Sequence, residues 1–132
     1  MMKRIVSIIA VAVFMLSIAA VAFAYDNPYG VWVITPSSVR TANNVKKVES
    51  GSAMVSAESQ TPDGQVTWYG IRNSAGTSRV HKNAVGYSSM PTNAFAIEYK
   101  SGYGTVGNSY CLAVQNDSES TANITVWGTW QP

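Results

Sequence analysis

The sequence after residue 24 consists of short runs rich in Val, Thr, Ile, Tyr and Trp, separated by clusters of Gly, Ser, Asn, Asp and Pro. This pattern is typical of antiparallel β structure, and sustained helical periodicity is almost absent. The region has the length of one domain and contains no linker, so we predict a single small antiparallel β-sandwich over residues 25–132, with jelly-roll and immunoglobulin-like topologies both open. The predicted strands are residues 30–35, 45–49, 53–59, 65–72, 78–82, 94–100, 109–116 and 121–130.

Three clusters of turn-forming residues separate these strands. Residues 61–64 (Thr-Pro-Asp-Gly) are predicted to close a β-hairpin, because Pro presets φ at the first turn position and Gly accepts a positive φ. Residues 73–76 (Asn-Ser-Ala-Gly) predict a second turn. A third turn, over residues 116–120, is expected to join the last two strands.

Alternation along the last predicted strand indicates which side chains face the core. Ile124, Val126 and Trp130 share one face, whereas Trp127 points to the opposite face, where solvent is expected. Trp32 is flanked by apolar residues on both sides, which predicts a core position for its ring.

Four aromatic residues are candidates for binding a ligand. Trp68 and Tyr69 are adjacent in a predicted strand, so one ring is expected inside the sandwich and the other outside. Tyr103 lies in a glycine-rich loop, and Trp127 is predicted to lie on an outer face. We therefore predict that ligand binding draws on Trp127, Tyr103, Tyr69 and Trp68.

The N-terminal segment predicts the compartment. A positively charged start precedes an apolar run that ends in residues 22–24 (Ala-Phe-Ala), the small-x-small pattern that signal peptidase reads. We predict a signal peptide over residues 1–24, cleaved between Ala24 and Tyr25, and a secreted, extracellular protein with possible association with the cell wall. The alternative is an uncleaved anchor, because the apolar stretch has about the length that spans a bilayer.

The charge balance excludes two classes of partner. The whole chain has nine Lys and Arg against seven Asp and Glu. Removal of residues 1–24 takes away Lys3 and Arg4, which leaves seven residues of each sign. A neutral chain has no electrostatic footprint for nucleic acid or for an anionic membrane surface, so neither is a predicted partner of the mature protein.

The single cysteine and the single histidine limit the chemistry of the chain. One cysteine excludes an intramolecular disulfide and any cysteine-cluster metal site. Cys111 lies in an apolar run, so we predict burial of its thiol, with a dimer linked through Cys111 as the alternative. With one histidine and scattered carboxylates, the sequence predicts neither a metal site nor a cofactor.

No motif identifies a catalytic residue, and we predict that the protein is not an enzyme. His81 has no acidic neighbour in the sequence and is predicted to be an ordinary exposed polar residue. Residues 86–90 begin like a nucleophile elbow but lack its second glycine. Residues 102–107 match G-x-G-x-x-G, yet a strand rather than a helix is predicted to follow, which favours a loop with Tyr103 at its tip over a nucleotide site.

A set of short motifs occurs in a fixed order: Trp68-Tyr69, His81, Gly107-x-x-Tyr110-x-Leu112-x-x-Gln115-Asn116 and Val126-x-Gly128-x-Trp130. This order, which covers mostly the C-terminal third of the chain, resembles an uncharacterised family of small secreted proteins from Gram-positive bacteria. The resemblance implies export and a small β fold, and it assigns no functional residue.

These observations favour a binding function. Exposed aromatic rings on a neutral, hydrogen-bond-rich sheet offer contact area to a carbohydrate or a protein at little entropic cost. The leading hypothesis is a secreted, non-enzymatic binding protein for a cell-surface glycan or protein. The alternatives are a bacteriocin-like secreted toxin and a small hydrolase that would depend on His81.

Overall fold

A computed structural model describes residues 27–132, which contain β-strands and no α-helix. The strands are β1 (Asn27–Ile34), β2 (Val39–Thr41), β3 (Val45–Lys46), β4 (Ala53–Thr61), β5 (Thr67–Asn73), β6 (Val85–Tyr87), β7 (Phe95–Ile97), β8 (Ser109–Asn116) and β9 (Ile124–Gln131). The predicted signal peptide and its cleavage position between Ala24 and Tyr25 lie outside the described residues. Within residues 27–132, no helix is long and apolar enough to cross a membrane.

The strands form two antiparallel sheets that pack face to face. Sheet A has the order β1-β9-β4-β7, and sheet B has the order β2-β8-β5-β6, with β3 pairing with the start of β8. The strands β8 and β9 are consecutive in sequence, yet each lies inside a different sheet. The prediction of an all-β sandwich is confirmed.

The hydrophobic core lies between the two sheets. Its large members come from alternate positions of the long strands: Tyr29, Val55, Ile124, Val126 and Trp130 from sheet A, and Tyr69, Ile71, Leu112 and Val114 from sheet B. Full burial of such a side chain contributes on the order of 1.5–3 kcal/mol. The predicted inward face of β9 is confirmed, since buried and more exposed residues alternate along it.

The predicted hairpin at residues 61–64 is wrong, although the turn itself is present, with Gly64 at a φ of 89°. The strands on either side do not pair, because β4 joins β9 and β7 in sheet A while β5 joins β8 and β6 in sheet B. The connection between Thr61 and Thr67 is long enough to cross the roughly 10 Å between packed sheets. Turn residues determine the local backbone path and leave open which sheet the next strand joins.

The other two predicted turns are confirmed. The amide of Gly76 donates to the Asn73 carbonyl at 2.9 Å, and the amide of Ser120 donates to the Asp117 carbonyl at 3.2 Å. The second of these turns carries the chain from β8 in sheet B to β9 in sheet A.

Several predicted strands differ in extent from the observed ones. Residues 78–82 form only isolated bridges, because the segment changes partner along its length. The Val80 amide donates to the Ile71 carbonyl of β5, whereas the Lys82 amide donates to the Glu98 carbonyl. The predicted strand 45–49 is reduced to β3. The strands β2 and β6 were not predicted, since three residues show no alternation.

Two predictions of buried side chains have different outcomes. Cys111 is 4 % exposed and its thiol lies 3.5 Å from the Ser74 carbonyl oxygen, so its burial is confirmed. Trp32 is only partly buried, because β1 is an edge strand of sheet A. Its ring packs on the core through Tyr29, with 5.6 Å between the ring centroids.

Candidate functional site

The four predicted binding aromatics do not form one surface. Trp68, Trp127 and Tyr103 are exposed, at 37 %, 43 % and 51 % respectively. Tyr69 is 0 % exposed, because it occupies the inward position next to Trp68 and its hydroxyl donates to Gln60 Oε1. The Tyr69 ring therefore faces the core, and the exposed members of the predicted set are Trp68, Trp127 and Tyr103.

The three exposed rings lie on three separate parts of the sandwich. Trp68 is on the outer face of sheet B, and Trp127 is on the outer face of sheet A. Tyr103 lies in the predicted loop, where Gly102, Gly104 and Gly107 have φ values of 84°, 79° and 95° before β8 begins. One flat ligand cannot contact all three rings.

A concave surface lies beside one of these rings, Trp68. It has a volume of about 260 Å³ and lies on the outer face of sheet B. We call it the sheet-B groove. Its principal lining residues are Trp68, Gly70, Arg72, Arg79, His81, Ala113, Gln115 and Asp117.

Small residues on neighbouring strands make the floor of the groove. Gly70 of β5 lies directly opposite Ala113 of β8 in the antiparallel ladder. Residues directly opposite each other project from the same face of a sheet, so neither fills the space above the strands. Two pairs along the ladder, and so on the same face, Trp68 lies opposite Gln115, and their longer side chains form one wall.

The indole of Trp68 is held from two sides. Its ring lies over Gly86 of β6, where a Cβ atom would be only 2.7 Å from Cζ3 of the indole. Its Nε1–H donates to Asp117 Oδ2 at 2.6 Å. The backbone amide of Glu119 donates to Asp117 Oδ1 at 2.8 Å. These two hydrogen bonds, that from Trp68 first, lower the pKa of Asp117, which keeps it an ionised acceptor.

His81 lines the groove beyond the point at which β5 and β6 stop pairing. The prediction that its side chain is exposed is wrong. His81 is 9 % exposed. The pairing of β6 with β5 stops at Tyr69, which leaves the Ile71 amide without a strand partner. His81 Nδ1 lies 3.0 Å from both the amide nitrogen and the carbonyl oxygen of Ile71, so it accepts the amide hydrogen when unprotonated and donates to the carbonyl when protonated. The Ile71 carbonyl also accepts the amide of Val80.

Positive charge surrounds His81. Burial lowers the pKa of its imidazole, and the charges of Arg79, Lys100 and Arg72 lower that pKa further, whereas the hydrogen bond to Ile71 raises it. His81 is therefore neutral at pH 7.

Among residues 27–132, the two guanidinium groups that line the groove have no carboxylate partner. Arg72 donates from Nη1 to the Gly76 carbonyl at 3.0 Å, and the backbone of Arg79 forms a bridge with that of Arg72. Within the described part of the chain, the one ion pair joins Lys82 to Glu98 at 3.5 Å, outside the groove lining.

Of the groove residues, Trp68 and Tyr69 were predicted from the sequence as binding residues, and His81 was considered only for the hydrolase alternative. Arg72 was in a predicted strand with Trp68, and the even spacing from Trp68 through Gly70 to Arg72 already placed all three on one face. No signal in the sequence linked that face to Arg79 or Asp117, because the groove depends on which strands are neighbours.

The arrangement combines an aromatic wall, a small-residue floor and a cationic end in one cavity. Among residues 27–132, no three His, Cys, Asp or Glu side chains come together as a metal-binding group. Compared with known protein families, curated proteins and solved structures, the chain shows no match.

Proposed function

We propose that this protein is a secreted, non-enzymatic binding protein that takes a saccharide of a cell-surface glycan into the sheet-B groove. The observation that carries the proposal is the fixed indole of Trp68 beside an open cavity. We further propose that it acts outside the cell, and that the host belongs to the Gram-positive bacteria, on the basis of its N-terminal segment and motif order.

A sugar ring has two kinds of surface that the groove can contact. Its C–H face packs on aromatic rings, and the Trp68 ring is fixed by Gly86 and Asp117 before any ligand arrives. Its hydroxyl groups need donors and acceptors, which Gln115 and Asp117 provide on the same wall. A preorganised wall of this kind lowers the entropic cost of binding.

The state of the two titratable groups that face the groove supports binding rather than catalysis. Asp117 accepts hydrogen bonds on both carboxylate oxygens, so it is a poor proton donor. His81 Nδ1 contacts the backbone of Ile71, and no carboxylate among residues 27–132 hydrogen-bonds to its ring as the acid of a catalytic triad would.

Co-sedimentation with insoluble cell walls from Gram-positive bacteria tests this proposal. Protein produced from the full-length gene is mixed with the walls, and the bound fraction is measured as a function of wall concentration. We expect saturable binding of the wild type, loss of binding in Trp68→Ala, and partial retention in Trp68→Phe, which keeps a ring without the Nε1–H.

Trp127→Ala is the matched control, because it removes a similarly exposed indole from the opposite sheet. We expect it to bind as the wild type does. Loss of binding in Trp127→Ala with retention in Trp68→Ala would move the site to sheet A. Recovery of all wild-type protein in the supernatant would refute cell-wall glycan binding.

A further inference from the structure

We propose that the saccharide bound in the sheet-B groove is acidic, with an anionic substituent held by Arg72 and Arg79 while its ring packs on Trp68. This inference rests on the proposed function and adds the chemical class of the ligand. The shared chemistry is an anionic oxygen group on a sugar, whether a carboxylate or a phosphate.

The distribution of charge along the groove carries the inference. Arg72 and Arg79 lie at the end towards His81, and Lys100 is close enough to donate from Nζ to the Arg79 carbonyl at 3.1 Å. The groove lining contains one carboxylate, that of Asp117, which is hydrogen-bonded to Trp68 at the other end. One end of the cavity is therefore cationic although the mature chain as a whole is neutral.

The cations are available to a ligand. Arg72 uses one Nη1–H on the Gly76 carbonyl, and a guanidinium has five N–H donors in a planar fork. Arg79 is exposed, and no ion pair among residues 27–132 involves either arginine. A guanidinium fork binds carboxylate or phosphate oxygens through two parallel hydrogen bonds.

The spacing of Trp68 and Arg72 fits a ligand that has both a sugar ring and an anionic substituent. They are four residues apart on one face of β5, which corresponds to about 13 Å along the strand. Only Gly70 stands between them on that face, so no side chain of β5 blocks a ligand that contacts both. A sugar packed on the indole directs its own or its neighbour's substituent towards the arginines.

Binding to matched polysaccharides tests the inference. The probes are polygalacturonate against neutral galactan, phosphomannan against neutral mannan, and polyglutamate as a polyanion without sugar. We expect binding to polygalacturonate, to phosphomannan or to both, weaker binding to the neutral partner of each, and no binding to polyglutamate. The two acidic arms distinguish a carboxylate from a phosphate.

Variants connect the preference to the two arginines. Arg79→Gln and Arg72→Gln are each expected to weaken binding of the acidic polymer about tenfold, because a charge-assisted hydrogen bond contributes on the order of a tenfold change or more. Arg72→Lys retains the charge and serves as the second variant if Arg72→Gln unfolds. Arg40→Gln, an exposed arginine outside the groove, is the matched control.

The outcomes separate this inference from the proposed function. Equal binding to acidic and neutral polymers, abolished by Trp68→Ala, would overturn the acidic ligand and leave glycan binding intact. Equal binding to polyglutamate would show attraction by charge alone and would also overturn the inference. Absence of binding to any polysaccharide or cell wall would overturn both the acidic ligand and the proposed glycan-binding function.

Discussion

The imidazole of His81 lies directly against Gly70: a Cβ atom at position 70 would be 2.5 Å from Cε1 of His81. The two residues come from different parts of the chain, β5 and the segment that precedes β6. Absence of a side chain at position 70 is what allows His81 to reach the Ile71 amide. The floor of the groove and its closure at His81 therefore depend on the same glycine.

Gly70→Ala is expected to lower the free energy of unfolding by about 1–3 kcal/mol, because the new methyl displaces a ring anchored by a hydrogen bond. In the double variant Gly70→Ala/His81→Ala the methyl has room, so the two effects should not add. Urea unfolding of the wild type, both single variants and the double variant measures the coupling. Simple additivity would show that the two residues do not constrain each other.

Stability should decrease as the pH falls below about 6.5, because the folded protein lowers the pKa of His81 from its ordinary value of 6.5. The unfolded chain then binds more protons than the folded one, and each titrating group of this kind costs at most about 1.4 kcal/mol per pH unit. Well above pH 6.5 the imidazole is neutral in both the folded and the unfolded chain, so His81 adds no further pH dependence to the stability. Urea unfolding between pH 7.5 and 5.5 measures the slope.

His81→Asn is the control for this pH dependence. Its amide oxygen can accept the Ile71 amide hydrogen, and it does not titrate. We expect a flatter dependence of stability on pH in this variant. An unchanged slope would assign the effect to other groups.

Asn116 holds the two sheets together at the point where the chain passes from β8 to β9. Its side-chain amide is buried and donates to the carbonyls of Ile34 and Ala122, each at 2.9 Å. Asn116→Ala leaves both acceptors without this donor, and we expect a loss of about 2–4 kcal/mol in the free energy of unfolding. Asn44→Ala removes an exposed amide and should change it by less than about 0.5 kcal/mol. Comparable losses in the two variants would contradict this role.

The Cys111 thiol should be unreactive in the folded protein. Burial raises its pKa, and the side chain lies beneath Ser74. We expect a disulfide reagent to modify it much more slowly in buffer at pH 8 than in urea, because the thiolate is the reactive form. A monomer on a non-reducing gel is the second expected result. Rapid modification of the folded protein, or a dimer on the non-reducing gel that reductant converts to monomer, would instead support the dimer linked through Cys111.

The parts of the fold that were predictable are those determined by neighbours in sequence. Alternation in β9 identified Trp127 as outward and Trp130 as inward, and adjacency required Trp68 and Tyr69 to face opposite ways. The burial of His81 was not predictable, because it follows from the point at which β6 stops pairing with β5. The groove depends in the same way on strand neighbours, since Gly70 meets Ala113 only when β5 joins β8.

The first described strand, β1, pairs with the last, β9, and β9 also pairs with β4. A chain synthesised from its N-terminus therefore presents β1 and β4 long before their shared partner has left the ribosome. Sheet A cannot close until residues 124–131 are available, and those residues arrive after every other strand. A chain truncated before β9 therefore contains β1 without the strand that β1 pairs with in the folded protein.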